Sequence, residues 1–87
     1  MKSEQLLEEL ERAAEKLDVR VSYETLSADV GPGGLCKVKG QWRAIVDRRA
    51  PASEKVALLA QALSQFDLEA LFLSPEVREI IDAKRKP

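Results

Sequence analysis

The chain has 87 residues, 45% hydrophobic and 33% charged, the balance of one small folded domain and not of a disordered chain. With no histidine and a single cysteine, Cys36, a Ser-His or Cys-His nucleophile pair and an internal disulfide are impossible within it. Net charge is −1 but segregated: residues 1–34 hold eight acids and four bases, residues 35–55 two acids and six bases, so an acidic half precedes a basic segment.

Leu6, Leu7, Leu10, Ala13, Ala14 and Leu17 recur at helical spacing and predict an amphipathic helix from Ser3 to Leu17. Ser3 is the expected cap, with Glu4 in the first turn, Lys16 near the end and Glu8–Arg12 as an i,i+4 pair. The period then switches to two. Val19, Val21 and Tyr23 alternate with Arg20, Ser22 and Glu24, as in a strand with one apolar face. SADVGPGG (27–34) reads as a loop, and LCKVK and WRAIVD around Gly40-Gln41 as a hairpin. In that hairpin Cys36 and Val38 share one face, and Trp42, Ala44 and Val46 share another; Ile45 breaks the alternation, which implies cover on both sides.

Pro51 suits the first turn of a second helix, in which Val56, Leu59, Ala60 and Leu63 repeat at helical spacing and Leu58 and Ala62 widen the apolar sector. So broad a sector predicts a central position. DLEALFL (67–73) reads as a short turn and an extended piece. Ser74, Pro75 and Glu76 then supply a cap, a first position and an acidic first turn for a last helix, with Val77, Ile80 and Ile81 facing inward. The expected fold is α+β: an N-terminal helix, a small three-stranded, mostly antiparallel sheet with a hairpin, and two C-terminal helices packed on one face, in a single domain over residues 1–87.

The motifs carry little chemistry. GPGGLC (31–36) lacks the strand before and helix after that a dinucleotide fingerprint needs, so it reads as a turn leading into the hairpin. Cys36 falls on the apolar side of its strand, where a core thiol is inert. A zinc site would have to use Cys36 and carboxylates alone, a poor ligand set. Lys37, Lys39, Arg43, Arg48 and Arg49 form a basic ribbon able to follow a phosphate backbone, although the overall charge is acidic. No apolar run approaches the ~20 residues of a membrane span, and MKSEQLLEELER is acidic where a secretory signal is basic; both point to a cytoplasmic protein.

A strand, a hairpin ending at Asp47, Pro51, a charged first turn and then LAQALSQ (59–65) resemble the core of the ImmA/IrrE-type, zincin-like metallopeptidases, whose helix carries Leu-Ala-His-Glu-Leu-Gly-His. Leu59, Ala60 and Leu63 match. Gln61 and Gln65 stand in place of the metal-binding histidines, Ala62 in place of the general base and Ser64 in place of the glycine. The resemblance over residues 19–66 therefore implies an inactive scaffold. GGLCKVKG, VDRRAP, EKVALLAQAL and DLEALFLSPEVRE are also similar to stretches of small bacterial proteins of like length, which imply no activity.

Together these readings predict a non-catalytic protein without cofactor or metal that works by binding another protein or a second copy of itself, and not a membrane. The residues expected at the interface are Leu71, Phe72 and Leu73, with Arg43, Arg48 and Arg49 as a charged rim. The alternative reading is nucleic-acid binding through the basic hairpin.

Overall fold

The computed structural model describes residues 2–26 and 33–85 and shows an α+β fold. Its elements are α1 (Ser3–Lys16), β1 (Val19–Glu24), β2 (Gly33–Val38), β3 (Gln41–Asp47), α2 (Ala52–Leu63) and α3 (Pro75–Arg85). The sheet is mixed, in the order β1-β3-β2. β2 folds back on β3 as a hairpin and β3 inserts beside β1, so β1 and β3 run parallel while β2 and β3 run antiparallel. The central strand β3 holds the best-buried sheet residues, Ala44 and Val46.

α1 and α2 lie on one face of the sheet, and α3 packs on these two helices. The core forms between the sheet and the helices: Leu10, Leu59, Leu63, Leu68 and Ile81 are fully buried, joined by Val19 and Ala44 from the strands. α2 touches α1, α3, β2 and β3, the central place its broad apolar sector requires.

Helix ends follow local chemistry. Lys2, not Ser3, occupies the cap position of α1, and its N–H donates to Gln5 Oε1 at 3.0 Å. Ser3 is already helical, so its hydroxyl does not cap. Leu17 ends the helix, and Asp18 follows with φ 62°, a left-handed conformation that aspartate tolerates better than most residues. α3 begins as its sequence predicts: Ser74 Oγ accepts the Val77 N–H at 3.3 Å. Glu9 of α1 accepts the Ser74 N–H at 2.7 Å, which ties the two helices together.

The hairpin corrects two expectations. Its turn is Lys39-Gly40, with φ 52° and 81°, the double left-handed conformation of a two-residue turn that matches strand twist. Val38 therefore pairs with Gln41, Leu35 with Ala44 and Cys36 with Arg43. This register puts Leu35 and Lys37 on the helix-covered face and Cys36 and Val38 on the opposite, open face, so Cys36 is not a core thiol. It is half-buried. The second correction concerns Gly33 and Gly34, expected in the loop, which open β2; residues 27–32 lie outside the described residues. Gly33 has φ 134°, and a Cβ there would stand 2.0 Å from the Ile45 carbonyl oxygen. Only glycine fits that position.

Candidate functional site

The α2 segment places LAQALSQ with its amides away from the core. Gln61 is exposed and Ala62 is buried. The helix ends at Leu63 with Ser64 as its cap, so Gln65 sits in the following turn, its N–H 3.4 Å from the Ala62 carbonyl oxygen. The two glutamines thus do not share a continuous helical face. Among the described residues, no three Cys, Asp or Glu side chains are gathered so as to hold a metal ion.

The basic residues of the hairpin point in different directions. Lys37 lies on the helix side, with Nζ 5.3 Å from the centre of the Trp42 ring; that ring meets Phe66 edge-on at 5.6 Å. Arg43 is on the open face, in register with Arg20 of β1. Arg48 and Arg49 belong to the turn after β3. The Arg48 guanidinium reaches the Tyr23 carbonyl at 3.4 Å, and Arg49 bonds the Leu26 carbonyl at 2.6 Å and the Asp47 carboxylate at 3.3 Å. The Arg49 side chain, and then its backbone N–H at 2.9 Å, hold the Asp47 carboxyl below its ordinary range. Arg48 and Arg49 therefore fasten the top of the sheet.

Leu71, Phe72 and Leu73 form a short shelf between α2 and α3. Leu71 and Leu73 pack against the core, and the Leu71 carbonyl accepts from Arg78 at 3.4 Å. Phe72, held between them, is 95% exposed. The side chains beside it are Glu9, Arg12 and Lys16 of α1, which with Leu73 and Ser74 line a shallow hollow of about 280 Å³. The charged rim of this apolar residue comes from α1, while Arg43, Arg48 and Arg49 lie on β3 and the turn that follows it.

A second feature has no counterpart among the predicted site residues. Tyr23 points from β1 toward α1 and donates its hydroxyl proton to Glu11 Oε2, while Lys55 Nζ of α2 lies 5.4 Å from the centre of its ring. Burial, and then the bond to Glu11, push the phenol well above its ordinary range. Beside this unit an open groove of about 410 Å³ runs between α1 and β1, lined by Glu11, Glu15 and Asp18, by Val19, Val21 and Tyr23, and by Arg20 and Gln41. The only hint in the sequence is a tyrosine on the apolar side of a strand, where its hydroxyl requires a partner.

Comparison with known protein families, curated proteins and solved structures finds no match to this chain.

Proposed function

We propose that this chain is a small, non-catalytic cytoplasmic protein that works as a protein–protein interaction module, anchored by Phe72. The observation that carries the reading is the 95% exposure of Phe72 between two leucines that pack into the core. Burying a phenylalanine side chain gains about 1.5–3 kcal/mol. An aromatic fixed in water forgoes that gain unless a partner covers it. Its backbone is anchored on both sides, so little conformational freedom is lost on docking. Glu9, Arg12 and Lys16 give the surround the mixed charge of an interface rim.

The inactive-scaffold reading of α2 is consistent with this role: the chain has no imidazole, and Gln61 and Ala62 can neither bind a metal well nor take a proton. No helix among the described residues is long and apolar enough to cross a membrane. Nucleic-acid binding has less support, because Lys37, Arg43, Arg48 and Arg49 do not line one path.

The test pairs affinity capture from the native cell with sedimentation across a concentration series, each with the wild type and Phe72→Ser. The expected result is a stoichiometric partner, or a concentration-dependent dimer, that Phe72→Ser abolishes while leaving the unfolding midpoint unchanged. Identical capture and identical sedimentation for the two proteins would sink the proposal.

A further inference from the structure

We infer that the free edge of β1 is a second docking site, taking an extended segment of a partner protein with basic side chains at alternate positions, laid as an added strand alongside β1 next to the groove that α1 walls. The ladder shows which groups are available. The Glu24 carbonyl accepts the Arg48 N–H at 2.9 Å, so in this parallel register Arg20, Ser22 and Glu24 turn their backbone groups toward β3. Val19, Val21 and Tyr23 turn theirs toward the free edge. Among the described residues, no backbone group pairs with them on that side. At its C-terminal end Arg48 approaches the Tyr23 carbonyl at 3.4 Å. Before that stop, the Val21 N–H and C=O, flanked by the Val19 C=O and the Tyr23 N–H, form the ladder of one short strand.

Charge selects the occupant. Exposed edges are commonly blunted by lysine, proline or a bulge; the groove beside this edge carries three acids, Glu11, Glu15 and Asp18, against one base, Arg20, and Glu11 is bonded to Tyr23. Glu15 and Asp18 are exposed and have no ion-pair partner among the described residues. A strand added here would send every second side chain toward that groove, where lysine or arginine is favoured, and the others toward the open face beside Arg20, Ser22 and Glu24. Main-chain bonds supply the affinity in such an arrangement, and the alternate side chains supply the choice of partner. A second copy fits poorly, since pairing β1 with β1 about a twofold axis brings two acid-lined walls together.

The test uses a short peptide alternating lysine with threonine, with amide chemical shifts and hydrogen exchange read on the full chain at low salt. Val21 and Tyr23 amides are expected to shift and become protected. The double variant Glu15→Gln, Asp18→Asn, whose fold is checked by circular dichroism, is expected to bind about tenfold more weakly. A peptide N-methylated at alternate residues is expected not to bind. The inference is overturned if the peptide leaves these amides unmoved, if the N-methylated or a glutamate-threonine peptide binds equally well, or if the double variant keeps full affinity. It is also overturned if the same amides become protected as protein concentration rises without peptide, which would make a second copy the occupant.

Discussion

The two faces of the sheet are made by the same three strands, yet only one of them is organised by burial. On the helix side Val19, Val21, Leu35, Trp42 and Ala44 meet α1 and α2, and Val19 and Ala44 are almost fully excluded from water. On the open side Arg20, Arg43, Cys36, Ile45 and Val38 alternate with them, and Val38 is 44% exposed. Period-two geometry makes neighbouring residues live in different solvents. The contrast teaches that stability resides in the helix-covered layer, while the edges and the open face are left to surface chemistry.

The largest test of that division compares core leucines with the open face. Leu10→Ala or Leu59→Ala removes a fully buried side chain from the helix layer and is expected to cost about 2–5 kcal/mol. In a domain this small that approaches the whole stability. Val38→Thr, on the open side, is expected to stay within about 0.5 kcal/mol. Urea unfolding midpoints decide the matter; comparable losses at the two sites would mean that something covers the open face in solution.

Two adjacent glycines sharpen the same contrast at one step of β2. Gly33 lies where a Cβ would meet the Ile45 backbone, whereas a Cβ on Gly34 would meet nothing within 4 Å. Gly33→Ala is expected to cost about 1–3 kcal/mol through steric conflict and the left-handed φ. Gly34→Ala is expected to be neutral or to stabilise by up to about 1 kcal/mol, by restricting the unfolded chain. Equal effects in chemical unfolding would refute the register of the hairpin.

That register marks the limit of what could be read from residues alone. α1 and α3 were readable because their signals are local: a stripe at helical spacing, and Ser74-Pro75 before an apolar run. The hairpin was readable as a hairpin but not to the residue, because a turn with Lys39 in a left-handed conformation gives no composition signal. Cys36 reads as core because it alternates with lysines, but in this register Leu35 and Lys37, the latter over the Trp42 ring, take the helix side and Cys36 the open one. Gly33 and Gly34 read as loop because glycine weakens strands in general; their reason for being in one is the closeness of β3. Phe72 stood out as part of an apolar stretch, but its neighbours on α1 are more than fifty positions away in the chain. The Tyr23–Glu11 bond and the groove beside it depend on how a helix crosses a strand, which no spacing encodes.

The smallest effects come from titration, and again one group lies on each face. Tyr23, on the helix side, has a raised folded-state pKa, so its contribution is complete below the ordinary phenol value of 10.0 and is lost as pH rises beyond it. Tyr23→Phe removes one hydrogen bond and is expected to cost about 0.5–1.5 kcal/mol at neutral pH. Above pH 10.0 the wild type should lose that advantage and the two stability curves should converge. Asp47, on the open side, behaves oppositely. Its pKa is lowered, chiefly by the Arg49 side chain, so its contribution is present above 3.8 and fades as pH falls through the folded value. Asp47→Asn is therefore expected to differ from wild type only slightly, and only above that range. The Arg49 partner is exposed, so 1 M salt should shrink the Asp47 difference while leaving the Tyr23 difference nearly intact. If salt removed both equally, the Tyr23–Glu11 bond would be as open to ions as the Asp47–Arg49 pair, and burial would not distinguish the two.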